Sequence, residues 1–469
     1  MKKWNWLTVN KRENPDFISD NHRVDSDSYM NRKKLNRIVL YLFVSMLLAG
    51  NLRAQEKLSL EQAVQLALEN NYDIKLNKND VEQAKNNVSR ANAGMLPVVT
   101  GNFNTNNTVS NTKQTLSSGV IQERNGARNS SLVYGPILNW QVFDGFQMFA
   151  RYDRLKELEN LGEANFKLAV QTTLADVINN YYDLVQQQQQ IEALSGALEI
   201  SRIRLRNSEN RYKIGKAAKL EVLAASVDLN TDTTNLLRQI DQYRNTKIKL
   251  NELIARDINT DFSVNDTIHI GHGLLLPELQ NSAAQLNPAL QSAIISKRIA
   301  EINLREVKAN RYPGINFNTG YNFNKSTSEL GFARNSVGRG FNYGLSASIN
   351  IFNGHLQKRA EKNASLQIEN SQLQYEKLNL SINSQLSSLF QTFQTNLQLV
   401  KLEQQNLEVA RQNMNITLEK FRLGSVAPLE FREAQRNYID ANARYTNAQF
   451  EAKLAEIALL QLSGRLNLQ

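Results

Sequence analysis

The sequence contains no cysteine. That single absence excludes disulfides, thiol catalysis, thiolate metal sites and a lipid-modified N-terminal cysteine. Histidine is nearly as scarce: His22, His269, His272 and His355 are the four in 469 residues, too few for most metallohydrolase or triad chemistries. Seven prolines and 21 glycines are few for this length and favour long uninterrupted helices over many short strands. What is present is ordinary core material, 41% hydrophobic and 21% charged, which argues against wholesale disorder. The length allows two to four domains, or one architecture repeated.

The net charge of +10 is unevenly placed. Residues 1–54 carry ten Lys/Arg and five Asp/Glu, so half the excess lies there, and no basic block in the remainder is long enough to track phosphates. Nucleic acid is not an expected partner. In this leader Arg32, Lys33, Lys34 and Arg37 precede thirteen mostly apolar residues, Ile38 to Gly50. Such a run is too short to span a bilayer as a mature helix but suits a signal-peptide core, with cleavage expected after Ala54 and Met30 as the working start.

Beyond the leader the chain is written twice. Ala-Asn-Ala-Gly-Met-Leu-Pro97 is answered by Lys-Ala-Asn-Arg-Tyr-Pro313, Phe143-Asp144-Gly145 by Phe352-Asn353-Gly354, and Tyr212-Lys-Ile-Gly215 by Phe421-Arg-Leu-Gly424. The expected divisions are the extension and signal peptide (1–54), a first repeat (55–257), a linker (258–276) and a second repeat (277–469). Each repeat reads helix, two strands, very long helix, tight turn, helix.

The strands alternate with period two. In the second repeat Ile315, Phe317, Thr319, Tyr321 and Phe323 are interleaved with Asn316, Asn318, Gly320, Asn322 and Asn324, and Phe341 to Ile351 behave likewise. The first repeat puts Leu132, Tyr134, Leu138, Trp140 and Val142 on one face, and more weakly Val99 and Phe103. Polar loops are expected at roughly 108–130 and 326–339. Any half-solvated sheet alternates, but strands near ten residues, terminal aromatics and a polar face of Asn, Ser and Gly point to a membrane barrel wall. Four strands cannot close around an open lumen, so strands pooled from three chains, twelve in all, are expected.

Gly145 to Tyr212 and Gly354 to Phe421 each run 68 residues without proline, about 102 Å as helix. Leu386, Phe390, Phe393, Leu397, Val400, Leu407, Met414 and Phe421 form a coiled-coil-like seam, with Val177, Tyr181, Leu184, Ile191, Leu198, Leu205 and Tyr212 equivalent. Helices from Leu58 to Met95 and from Ala217 to Arg256, stacked end to end, match one long helix in length. The glutamine run 186–190 reads as a solvated or lumen-lining helix face.

With the duplicated unit, the proline and Phe-Asx-Gly junctions and the tip sequences 212–226 and 421–435, the chain resembles the TolC-like outer-membrane channel family over residues 57–464. The resemblance implies a mixed α and membrane β fold: a homotrimer whose 12-stranded β-barrel in outer-membrane lipid continues into a 12-helix periplasmic α-barrel. It implies a passive exit duct of a tripartite efflux pump or type I secretion system, docking to a periplasmic adaptor and an inner-membrane transporter. No cofactor is implied, and the sequence has no glycine-rich loop followed by Lys-Ser/Thr to cradle a nucleotide.

Gly215 and Gly424 fit left-handed positions closing the long helices. A plain helix hairpin needs no more than that, but the tip location implied by the resemblance adds a docking role for Ile214, Gly215, Lys216, Leu423, Gly424 and Ser425. Glu430 and Glu433 lie three apart on one helical face. From the residues alone they are solvated surface glutamates; the resemblance makes them an acidic ring at the periplasmic entrance, with Glu221 the first-repeat counterpart and Ala224 in the second place. Phe421 and Val426 occupy gate positions that hold Tyr and Arg in other members, so an apolar constriction involving Phe421 is expected instead of polar locks. Two rivals are an enzyme using Glu430/Glu433 or His269/His272, and a secreted coiled-coil scaffold. The glutamates lack a facing cleft, the histidines lack a third ligand, and the scaffold leaves the strands and signal peptide unexplained.

Overall fold

In each half of the chain a single asparagine breaks what the sequence suggests is one helix. The computed structural model describes residues 56–264, 267–271, 273–329 and 333–466. The leader, with the expected signal peptide and Met30 start, and His272 lie outside the described residues. The expected helix from Leu58 to Met95 is two, α1 (Leu60–Asn70) and α2 (Tyr72–Asn87), separated by Asn71 with ψ 133°. The Asn71 carboxamide accepts from the backbone N–H groups of Asp73 (2.8 Å) and Ile74 (3.1 Å), capping α2. Its Nδ2 donates 2.8 Å to the Leu253 carbonyl. The second half repeats the device at Asn287, between α5 (Leu276–Leu286) and α6 (Pro288–Ala309). Asn287 accepts from Leu290 N–H at 3.1 Å and donates to Leu462 O at 2.8 Å. An asparagine side chain that satisfies backbone groups on both sides makes the break cheaper than continuity, and Pro288 disfavours helix at the residue before it.

Between these helices and the long ones lie the strands β1 (Val98–Thr115), β2 (Ile121–Asp144), β3 (Gly314–Ser328) and β4 (Asn335–Ser348). They form one antiparallel sheet in the order β1-β2-β3-β4. Most of the stretch expected as loop at 108–130 is strand, because pairing runs on from Val98↔Asn139 to Thr115↔Ile121. The second hairpin likewise pairs out to Thr327↔Asn335. Asn, Ser and Thr compete for their own backbone in isolation, but here the facing strand supplies every second donor and acceptor. Gly119, with φ 82°, turns the first hairpin.

The register sorts the side chains into rows. Val99, Leu138, Thr319 and Tyr343 stand side by side, as do Phe103, Tyr134, Phe323 and Arg339. Tyr134 and Phe323 stack with centroids 5.0 Å apart. The other face carries Thr100, Asn102, Asn318, Asn322, Asn342 and Ser346. At Gly135, φ 154°, a side chain would run into the Tyr321 carbonyl, and one at Gly320 would crowd the Pro136 carbonyl, so two glycines let β2 and β3 approach here.

The helices α3 (Gln147–Lys213) and α7 (Leu356–Arg422) each have 67 residues, and α4 (Lys219–Leu253) and α8 (Pro428–Leu462) each have 35. The Phe-Asx-Gly junctions start the long ones. Gly145 and Phe146 both take left-handed φ of 71°, as do Gly354 (64°) and His355 (63°). This turn lets Asp144 Oδ1 accept from Met148 N–H at 3.0 Å, and Asn353 Oδ1 from Gln357 N–H at 3.4 Å. The aspartate or asparagine thus caps the helix from three residues ahead of its first turn.

Two cores support the hairpins. Leu58, Val64, Val177, Tyr181, Leu184, Leu250, Ile254 and Phe262 form one; Leu279, Leu290, Ile382, Leu386, Phe393 and Leu459 form the other. Of the expected seam residues, Val177, Tyr181, Leu184 and Ile191 fall within or beside the first core and Leu386, Phe390, Phe393 and Leu397 within or beside the second; nearer the tips Leu198, Met414 and Phe421 are buried outside both, while Tyr212, the counterpart of Phe421, is exposed. Gln186 and Gln187, expected on a solvated face, are buried instead. Gln186 donates 2.7 Å to Asn447 and Gln187 donates to Asp183 (2.8 Å) and Thr246 (3.0 Å), so part of the run is interhelical packing. Arg154 and the buried Glu306, 2.6 Å apart, tie α3 to α6 across the two repeats. No helix among the described residues is long and apolar enough to cross a membrane.

Candidate docking and entrance site at the hairpin tips

Both long helices close with the same hydrogen-bond pair. Gly215 N–H donates to Tyr212 O (2.9 Å) and Lys216 N–H to Arg211 O (2.8 Å); Gly424 N–H donates to Phe421 O (3.0 Å) and Ser425 N–H to Lys420 O (2.9 Å). With φ of 74° and 75° at the two glycines, this is a Schellman closure, and it leaves both glycines in open space. The next helices begin four residues on, α8 with Pro428 at its first position, where a missing N–H costs nothing.

The two tips meet. Ile214, Lys216, Leu423 and Gly424 line one groove of about 930 Å³, with Asn207, Asn210 and Arg422 along its sides. Gly215 and Ser425 are exposed beside it. Ile214 and Leu423 are 66% and 83% exposed, an unusual solvent load for isoleucine and leucine at two adjacent turns.

Phe421 borders the same groove with little of its ring. It is buried and stacks on Phe431, centroids 5.2 Å and planes 14° apart, so its ring fills the α7–α8 hairpin rather than offering an apolar constriction. The reason is the seam: Phe421 continues the spacing that buries Met414 and Thr417. Glu430 and Glu433 are exposed on the first turns of α8, Glu433 being 3.9 Å from Arg436. Glu221 is partly covered, 3.3 Å from both Ser208 Oγ and Arg211. His269 pairs with Thr267 at 2.8 Å, and no metal-holding cluster exists among the described residues.

Beside the tips lies a charged cluster that sequence reasoning missed. Arg432 of α8 donates two hydrogen bonds, 2.8 and 2.9 Å, to the two carboxylate oxygens of Asp232 on α4. Asp232 also accepts from Ser201 Oγ at 2.6 Å. Gln435 donates to Ser201 (3.0 Å) and to Ala197 O (2.9 Å), both on α3. Arg204 pairs with Asp228, which lies 3.5 Å from Arg432. Burial pushes the Arg204 guanidinium down to about 10; Arg432 pushes the same way and Asp232 opposes. The cluster borders a cavity of about 890 Å³ and bolts the second repeat to the hairpin of the first. Asp228 and Asp232, four apart and so on one face of α4, were the available signal.

The family described as "Outer membrane efflux protein" matches residues 63–256 and 279–465. The chain belongs to that family. Among curated relatives of this outer membrane efflux protein, Outer membrane protein TolC of Vibrio cholerae is 19% identical over 327 residues, covering 68% of this chain and 73% of the relative. The outer-membrane channel OprN superposes with a TM-score of 0.72 at 16% identity, covering 86% of this chain and 89% of the other. The CmeC outer membrane channel of Campylobacter jejuni also gives 0.72 at 16% identity, over 87% and 85% of the two chains. The fold is therefore TolC-like, mostly helical with one small sheet, and the family is one of outer-membrane transport.

Proposed function

We propose that three copies of this chain assemble into an outer-membrane exit duct, with twelve strands in one barrel and twelve helices in a periplasmic tunnel. The observation that carries this reading is the sheet. It has one aromatic face, one amide face, and two unpaired edges in β1 and β4. Open edges are not tolerated in hydrocarbon, and joining β4 of one copy to β1 of the next removes all of them at once. The exposed Val99, Phe103, Phe341, Tyr343 and Leu345 then face lipid, and the asparagines face water.

The tips take an adaptor in this reading. The groove between Ile214, Lys216, Leu423 and Gly424 repeats three times around the ring and offers apolar surface at the free end of the tunnel. A periplasmic adaptor and an inner-membrane transporter supply the energy, either as an efflux pump or as type I secretion. Glu430 and Glu433, exposed beside the tips, contribute six carboxylates around the axis and favour cations. The duct itself carries out no covalent chemistry.

Purified full-length protein in mild detergent should run as a heat-dissociable trimer and pass current in planar bilayers. A monomer that conducts nothing refutes the assembly. Glu430→Gln/Glu433→Gln should lower cation preference at unchanged trimer content, and identical selectivity removes the acidic ring.

A further inference from the structure

Charge divides the sheet into two zones. Residues 98–104, 131–143, 314–323 and 341–348 contain no Asp, Glu, Lys or Arg. The remaining hairpin residues, 105–130 and 324–340, hold Lys113, Arg124, Arg128, Lys325, Arg334 and Arg339 against Glu123 and Glu329. The charge-free zone adjoins the helices; the basic zone is at the far end, where the hairpins turn.

The register fixes the face. Arg339 is paired with Phe323 and continues the row of Tyr134 and Phe103. Lys325 lies between Leu132 and Val337 in the next row outward, and Arg128 stands opposite Val109 two rows beyond that. Positions two apart share a face, so these three cations are on the aromatic side of the sheet. From Ile315 to Phe323 the uncharged aromatic face is eight residue steps long, about 26 Å along the strand and about 20 Å in height at a barrel tilt of about 40°, most of the roughly 25 Å apolar band of outer-membrane barrels. The cations begin where such a band ends.

Internal pairing leaves much of this charge uncompensated. Lys113 pairs with Glu123 at 3.2 Å, and Glu329 accepts from Arg128 N–H at 3.0 Å and lies 3.5 Å from Arg124. Lys325, Arg334 and Arg339 are exposed, with no carboxylate within 4 Å among the described residues.

We infer that Lys325 and Arg339, with Arg128, form a docking surface for the phosphorylated headgroups of the surrounding lipid leaflet. The inference rests on the barrel reading above. A lipid is favoured over a soluble anion because the cations continue the aromatic face. A phosphate held there leaves its acyl chains against Phe103, Tyr134 and Phe323, which free phosphate cannot exploit. Basic side chains beside an anionic lipid surface each strengthen binding about five-fold.

The test uses the full chain and the variant Arg128→Gln/Lys325→Gln/Arg339→Gln. Both are reconstituted in phosphatidylcholine vesicles containing either diphosphorylated lipid A or its dephosphorylated form, and the glycolipid retained per chain after detergent extraction is measured by mass spectrometry. Wild-type protein should retain the phosphorylated form at least about ten-fold better, the variant should lose most of that preference, and millimolar inorganic phosphate should not compete. Equal retention of both glycolipids, or wild-type retention by the variant, overturns the inference. Full displacement by inorganic phosphate also overturns it and reassigns the cations to a soluble anion. Current through the same vesicles separates the two readings: conducting protein without phosphate preference sinks this inference alone, while protein that never conducts sinks the barrel and this inference with it.

Discussion

Truncating Arg432 to alanine should loosen the second repeat from the first at the tip end of the bundle. In the intact protein Asp232 is 5% exposed and held by two Arg432 bonds and one from Ser201. The variant leaves its carboxylate with one hydrogen bond, from Ser201, and the nearby Arg204 charge. Breaking a buried ion pair by removing one partner costs about 3–5 kcal/mol. Here the adjoining cavity of about 890 Å³ lets water reach the orphaned charge, so a value near the lower end, roughly 2–3 kcal/mol, is expected. That corresponds to about a 30- to 150-fold rise in local opening. Hydrogen exchange on trimers in detergent should therefore lose 30- to 150-fold protection over residues 225–235 and 428–440, with the cores around Leu184 and Leu386 unchanged. Arg432→Ala/Asp232→Asn should recover more than half of the loss, because both charges are then gone. Protection unchanged to within three-fold, or strictly additive single variants, refutes the idea that this pair fastens the repeats.

Asp144→Ala should lower the thermal midpoint of the trimer by an amount equivalent to about 1 kcal/mol, and Asn353→Ala by less, since its cap bond is 3.4 Å rather than 3.0 Å; equal effects contradict the capping account. Gly145→Ala and Gly354→Ala face similar positive φ, but only the first drives a methyl into the Ala309 carbonyl and Tyr312. Chemical denaturation should show about 1 kcal/mol for Gly354→Ala and at least twice that for Gly145→Ala. Burial raises the Asp183 carboxyl above the ordinary aspartate range, opposed by its bond from Gln187. A raised carboxylate favours the folded state while protonated, and that stabilisation is lost as pH climbs through the raised value. Asp183→Asn should therefore melt higher than wild type at pH 7, with the gap closing toward pH 4; a gap that widens in acid rejects the sign.

Much of this architecture could be read from residues because two periods are strong. The 67-residue helices match the expected limits within two residues, since no proline interrupts them and a glycine closes each. The sheet faces also match, because alternation survives pairing. What escaped notice depends on partners distant in sequence. Asn71 looks like an ordinary polar helix residue until Leu253 O comes within 2.8 Å. The 108–130 segment has loop composition, and only the opposing strand makes it extended. Gln187 reads as solvated until Thr246 meets it across the hairpin. At the tips, the glycines were visible because backbone geometry selects them locally. The Arg432–Asp232 bond joins positions 200 apart in sequence, so the spacing of Asp228 and Asp232 was visible but their partner was not. Phe421 was legible as a seam residue from its spacing, and its burial against Phe431 follows that spacing.

The inequality of Tyr212 and Phe421 reaches beyond one chain. Gene duplication gave the polypeptide two hairpins of identical length, yet one aromatic ring is turned out to water and the other shut in against Phe431. In the proposed trimer three such chains would make six spokes of two alternating kinds, and the mouth would have only threefold equivalence. Any protein that grips all six must carry two distinct footholds in turn, and a sixfold-identical collar would meet a mismatch at every other step.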